Sequence, residues 1–571
     1  MNEELARIEE RLQQLEQAVA ALNRRMRALE AGVPTVTGTE SANEPGAAPP
    51  TTAPAVTSEV SDLSALLSLA GRTFIVFGGA FLLRALTSSG QLHRGVGIVV
   101  GLIYAVAWLA VADRAAAGGR RLSSSFHGVA AIMIGFPLLW EASTRFGFLS
   151  PPASAGALAA LTGLALAVAR RRRLRLLAGL AMLGGLVTTL GLVATTGQFI
   201  PFTLMLTLIG VATLWLGYDP DWYWLGWLPA FVVDGVLAGM AIAELRAESV
   251  ERPGTVLATQ AFFLAVYLGS VAARTLLRRR AVIPFEVVQT LAAITVGLGG
   301  AVAVAHASGS SETAIGVASA ILGGGSYAAA FACSRSRREL RVNFDFYATL
   351  ALVFTLIGGG VLLRGATLAV LLAGLAVLTA WLGHRLSQSA LAMHSAAYGV
   401  VAAGVSGLIS LVATVFMVTP AADWGILSPS AWITLTATAL CVAVPRADSS
   451  TKPSVAAGVP RVVLALLLVL ESSGALVASI APALAGVPPN AGILATLRTA
   501  VLAAAAVLLA CARRYERTAE LGWLLYPVLC AGGLKLLLED FRYSEPSMLF
   551  VALGLFGAAL LAAARLVKRG A

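Results

Sequence analysis

The sequence predicts an all-α, polytopic transmembrane helix bundle of roughly eighteen helices, preceded by a short coiled coil and a proline-rich linker. Three observations carry this. Of 571 residues 58% are hydrophobic and only 12% charged, about half the charge of a soluble domain. From Leu63 onward, apolar stretches of about 17 to 25 residues follow one another with short breaks. The first 31 residues instead show a heptad pattern. A soluble chain of this length needs polar surface on several domains, and the charge to cover it is missing.

The heptads run through Leu5, Ile8, Leu12, Leu15, Val19, Leu22, Met26 and Leu29, with spacings that alternate between three and four. Over about four heptads this predicts a self-associating coil, residues 1–31. With Leu5 at position a, Arg11 meets Glu16 and Arg25 meets Glu30 of a parallel partner, whereas Glu4 faces Glu9 and frays the first turn. The competing assignment is a solitary amphipathic helix. The segment does not read as a secretory signal, because its start is acidic and it lacks a continuous apolar core. Residues 32–62 hold Pro34, Pro45, Pro49, Pro50 and Pro54 among Thr, Ala and Ser. No apolar period crosses them, so they read as a disordered, partly extended tether.

Residues 63–571 form the membrane domain. Apolar runs start near 64, 94, 126, 151, 174, 199, 224, 254, 284, 312, 343, 365, 390, 428, 459, 490, 519 and 547. The weakest are the run from Phe126 to Glu141 and the close pair around Arg364. Charge checks the count. Loops after even-numbered runs carry about 25 Lys and Arg, from Arg114 through Arg170–Arg173, Arg278–Arg280 and Arg335–Arg341 to Lys568 and Arg569; the opposite loops carry about six. An even count with both termini in the cytoplasm follows. One acidic loop, Tyr218-Asp219-Pro220-Asp221, breaks the pattern. The net charge of +11 therefore belongs to loops facing anionic lipid and gives no reason to expect nucleic acid. Every loop is short, so any site lies among the helices or at their mouths.

Residues 69–216 resemble a known family. The stretches are GRTFIVFGGAFLLRAL from Gly71, RGVGIVVGLIYAVAWLAVADR from Arg94, RFGFLSPPASAGALAALTGLALAVARRRR from Arg145 and LGGLVTTLGLVATTG from Leu183. In order, spacing and architecture they are similar to the large bacterial predicted membrane proteins catalogued as domain of unknown function 2339, which also begin with a coiled coil and a proline-rich linker. LTSSGQLHRG, from Leu86, lacks an aspartate that members carry after the first helix. The resemblance implies the bacterial cytoplasmic membrane, and it supplies no activity, substrate or catalytic residue.

Ionisable residues within apolar runs are costly and are functional candidates by default. Asp234 in LPAFVVDGVLAGM and Glu471 in LALLLVLESSGALVAS lie near the centres of their runs. Each suits proton or ion handling, or binding of a cationic or hydroxylated substrate; the plainer alternative is a paired structural carboxyl. Arg498 and Lys535 sit deep enough to be partners for Glu471. Glu141, Glu244, Glu539 and Asp540 near one face form an acidic vestibule or are ordinary helix-end residues.

Other chemistry is unsupported. His127, His306 and His394 show no metal-ligand spacing, and Cys333, Cys441, Cys511 and Cys530 are isolated packing residues. Asp219 and Asp221 make a D-x-D, but beside Trp222, Tyr223, Trp224 and Trp227 they read as part of an interfacial belt. The glycine clusters suit close helix packing better than phosphate binding. No cofactor and no metal is expected; the expected partners are the bilayer and further copies of the chain. Three functions compete: transport or lipid and envelope-component handling through an intramembrane polar site; an envelope scaffold recruiting partners through the coil; and an enzyme acting on a lipid-linked substrate.

Overall fold

A computed structural model shows how the runs fold. It describes residues 71–568 except 72–74, 77, 219, 249–250, 311, 335–340, 418–426, 446–454, 486–489 and 514–521. The chain divides into two units, Met1–Ser68 and Leu69–Ala571. The expected coil and linker lie outside the described residues, as do Asp219 and part of the basic loops.

After a helical stretch ending at residue 88 come α1 (Arg94–Ala117), α2 (Arg121–Thr144), α3 (Pro151–Arg172), α4 (Arg175–Thr196) and α5 (Ile200–Leu216). A 3-10 turn, Pro220–Gly226, leads into α6 (Trp227–Leu245). Then follow α7 (Pro253–Leu277), α8 (Pro284–Ala307), α9 (Thr313–Ser334), α10 (Arg341–Leu362) and α11 (Ala366–Leu386). The remainder are α12 (Ser389–Val405), α13 (Leu408–Met417), α14 (Pro429–Ala443), α15 (Val455–Leu484), α16 (Ala491–Ala512), α17 (Leu525–Lys535) and α18 (Pro546–Lys568). No strand occurs among the described residues.

Local chemistry sets many of the ends. Proline opens α3, α7, α8 and α14, where its missing N–H leaves no bond unmade. Asn490 caps α16 by accepting from the amides of Gly492 at 2.9 Å and Ile493 at 3.1 Å. Gly197 closes α4 with φ 66°, a left-handed stop that glycine adopts without strain. Arg364 lies in the turn between α10 and α11, where Gly365 takes φ 56°. The weak run around Phe126 is a full 24-residue helix, α2.

Among the described residues, thirteen helices are long and apolar enough to cross a membrane, or fourteen if α12 and α13, bent by 65° across Ser406-Gly407, make one span. Two apolar helices, α5 and α14, are shorter. The segment from Leu525 to Tyr543 carries four charged residues, Lys535, Glu539, Asp540 and Arg542. The solvent of this bundle is read from its outside. Large apolar side chains such as Ile321, Leu508 and Phe550 are 68%, 70% and 78% exposed, while buried positions are rich in Ala, Gly, Thr and Ser. Small residues inside and bulky apolar residues outside is the arrangement lipid selects. This is a multi-pass membrane protein.

Packing is closest where glycine meets backbone. A side chain at Gly358 of α10 would stand 2.8 Å from the Ala320 nitrogen of α9, and one at Gly323 would stand 2.8 Å from the Thr355 hydroxyl. One glycine of each GGG stretch, Gly323 and Gly358, therefore serves contact between these helices.

Candidate functional site

Four charged side chains meet between α16 and the end of α17. A π turn, Leu536–Asp540, widens the helix after Lys535. In a regular α-helix residues five apart point about 140° away from each other, whereas a π turn stacks them. Lys535 Nζ thus reaches Asp540 Oδ2 at 2.7 Å and Glu539 Oε2 at 3.3 Å. It also donates to the Thr499 hydroxyl at 2.8 Å and to the Ala495 carbonyl. Thr499 donates to Asp540 at 2.8 Å, and Arg498, fully buried, donates to Glu539. Two cations and two carboxylates cancel. Arg498 and Lys535 are therefore brought together, with each other's acids and not with Glu471. Glu539 and Asp540 are buried, so neither forms an exposed vestibule.

Asp234 is buried on α6. Gln289 of α8 donates its amide to both carboxylate oxygens, at 3.2 and 3.0 Å. No cation pairs with Asp234 among the described residues. Tyr267 of α7 lies close enough to feel the Asp234 charge, and Gln260 lies two turns from Tyr267 along the same face of α7. Both are buried, and the Tyr267 hydroxyl, both Gln260 amide atoms and Gln289 Oε1 find no hydrogen-bond partner among the described residues. A second π turn, Ile294–Leu298, interrupts α8 just past Gln289. These glutamines escaped sequence reasoning because an uncharged amide in an apolar run carries little signal.

Glu471 on α15 is 1% exposed, and neither of its carboxyl oxygens accepts a hydrogen bond of normal geometry among the described residues. The Thr438 hydroxyl of α14 lies beside it but donates to its own helix, to the Thr434 carbonyl at 3.0 Å. The surroundings follow from its neighbours on the same face. One turn before, Leu467 packs in a cluster with Ala403 and Leu408, which flank the α12–α13 break, and with Ala431 of α14. One turn after, a side chain at Gly474 would meet Val412 of α13 at 2.7 Å. Glu471 therefore sits at the level of the first turn of α13, where a broken helix leaves backbone amides without intrahelical partners. The break turns at Gly407, with φ 83°.

A third polar group holds the loop between α7 and α8. Glu286 accepts from Tyr218 at 2.8 Å, from Arg274 at 2.7 Å and from the Ile283 amide at 2.9 Å. Arg274 also lies over the Tyr218 ring, 4.3 Å from its centre. Burial, then the Glu286 charge, push the Tyr218 phenol well above its ordinary range. Asn343 of α10 bonds the same loop through the Val282 amide and the Arg280 carbonyl, both at 2.8 Å. These bonds close on themselves and read as a fastening.

The histidines remain apart. His306 pairs with Glu312 at 2.7 Å, and His394 bonds Tyr327 at 3.1 Å. No group of three or more His, Cys, Asp or Glu that could hold a metal occurs among the described residues. In the aromatic stretch Trp222 is buried, while Tyr223 and Trp224 are exposed. Family models, curated proteins and solved structures were each compared with the chain, and none matches it.

Proposed function

We propose that the chain moves a solute or an envelope component within the membrane, past a polar site at which Glu471 takes up and releases a proton. The observation that carries this reading is the placement of an unpaired, buried carboxyl beside a broken helix. Discontinuous helices in transporters expose backbone groups near the bilayer midplane, where substrates and coupling ions bind. A carboxylate in that setting is expensive unless a cation, proton or water meets it, and the two deep cations that could have met it belong to Glu539 and Asp540. Asp234, held by Gln289 alone, is a second buried carboxyl without a cation among the described residues, in the N-terminal half.

The scaffold reading is favoured by one observation, the self-neutralised cluster of Arg498, Lys535, Glu539 and Asp540, which suits a rigid anchor. Under either reading residues 1–31 associate in parallel, both termini lie in the cytoplasm of a bacterial cell, and the chain is one of the predicted membrane proteins of the 2339 family. The heptads, the basic-loop alternation and the four matching stretches support these assignments.

The test is proton movement. Full-length protein is reconstituted into vesicles that enclose a pH-sensitive dye, and a pH step is imposed. The wild type is expected to relax the gradient faster than protein-free vesicles, and Glu471→Gln to fall to the protein-free rate with an unchanged melting temperature. A wild type no faster than empty vesicles, or a Glu471→Gln variant as fast as the wild type, overturns the proposal.

A further inference from the structure

A cavity of about 220 Å³ lies between the helical stretch 78–88, α1 and α2. Its body is apolar, lined by Ala80, Phe81, Met133, Ile134 and Leu138, and at one end stand Arg84 and Glu141. Phe81 and Met133 are 62% and 57% exposed on the apolar outer surface, so the slot opens sideways to lipid. Ile134 and Glu141 are seven residues apart on α2, which gives the slot a length of about 10 Å. Its volume corresponds to roughly seven waters at about 30 Å³ each, but the apolar walls offer water few hydrogen bonds. A hydrocarbon chain suits them.

The charged end specifies the rest of the occupant. Arg84 donates to Glu141, four residues from the end of its helical stretch and three from the end of α2, where headgroups meet hydrocarbon. Arg84 is half-exposed, and its planar fork of five donors keeps several free for a further acceptor. One cation and one anion thus stand side by side at the mouth of an apolar slot.

We propose that this slot binds a bilayer phospholipid with a primary-ammonium zwitterionic headgroup. One acyl chain fills the cavity, the phosphate accepts from Arg84, and the ammonium donates to Glu141. A purely anionic headgroup would satisfy Arg84 but bring no cation to Glu141. A choline headgroup carries no N–H to donate. The inference is independent of Glu471 and of any transport activity.

The test uses the full chain, delipidated in detergent, with dioleoyl phosphatidylethanolamine, phosphatidylcholine and phosphatidylglycerol offered separately, and reads retained lipid by native mass spectrometry. Phosphatidylethanolamine is expected to bind about tenfold tighter than either other lipid, a difference of about 1.4 kcal/mol. Arg84→Gln and Glu141→Gln are each expected to abolish the preference. Ala80→Phe, which fills the slot and leaves the ion pair untouched, is expected to abolish retention of all three lipids. Equal retention of the three lipids by the wild type, tighter binding of phosphatidylglycerol, or wild-type retention by Ala80→Phe overturns the proposal. So does a dimer that Ala80→Phe dissolves, because a second copy would then occupy the slot.

Discussion

Lys535 and Asp540 lie five residues apart on one helix, yet their side chains meet at 2.7 Å because the turn between them is π and not α. That turn lets α17 present a cation and two carboxylates to α16 together. The cluster is neutral only while complete. Lys535→Met is expected to leave Asp540 and Glu539 short of a charge and to destabilise the protein by about 3–5 kcal/mol. Lys535→Met with Asp540→Leu is expected to recover most of that loss, since one cation and one carboxylate then remain. Thermal unfolding in detergent of the single and double variants reads the coupling; additive losses would mean the four side chains do not act as one unit.

Glu471 is the opposite case. With no ion partner among the described residues, removing its carboxyl strands nothing. Glu471→Leu is therefore expected to hold or raise the melting temperature, whereas one buried carboxyl of a pair would lower it. A loss of several degrees on Glu471→Leu would reveal a partner that the geometry does not contain.

Gln289 supplies both hydrogen bonds that Asp234 receives. Gln289→Leu is expected to destabilise by about 1–3 kcal/mol, the cost of leaving a buried acceptor unmet. Asp234→Leu in the same background should restore much of it. Melting temperatures of the two single variants and the double variant check this.

Glycines that look alike in sequence are expected to differ sharply. Gly358→Ala drives a methyl to 2.8 Å from a backbone nitrogen of α9, a contact no rotamer relieves, while Gly324→Ala meets nothing within 4 Å. The first is expected to cost about 1–3 kcal/mol and the second to be neutral or slightly stabilising. Matched thermal denaturation of the two variants settles the order.

The basic-loop alternation predicts that reporters fused after Ala571 and near Thr419 sit on opposite sides of the membrane. Readings on the same side would overturn the helix count, because the chain would then cross an even number of times between Thr419 and Ala571.

Much of the architecture was legible in one dimension. Lipid imposes a long apolar run on every spanning helix, so α1 to α4 and α7 to α11 begin within a few residues of their apolar runs, and the membrane setting follows from composition alone. Buried ionisable residues are conspicuous for the same reason, which is why Asp234, Glu471, Arg498 and Lys535 stood out. Their partners did not, because partnership depends on helix phase and on which helices touch. A π turn rotated Asp540 onto Lys535, and Arg498 and Lys535 pair with Glu539 and Asp540. A break at Ser406-Gly407, inside a run that reads as continuous, placed helix ends beside that acid. Uncharged Gln260 and Gln289, and the slot behind Arg84 and Glu141, exist only where separate helices close around them. Hydropathy is a property of one segment and survives in the sequence; proximity is a property of several, and only tertiary packing decides it.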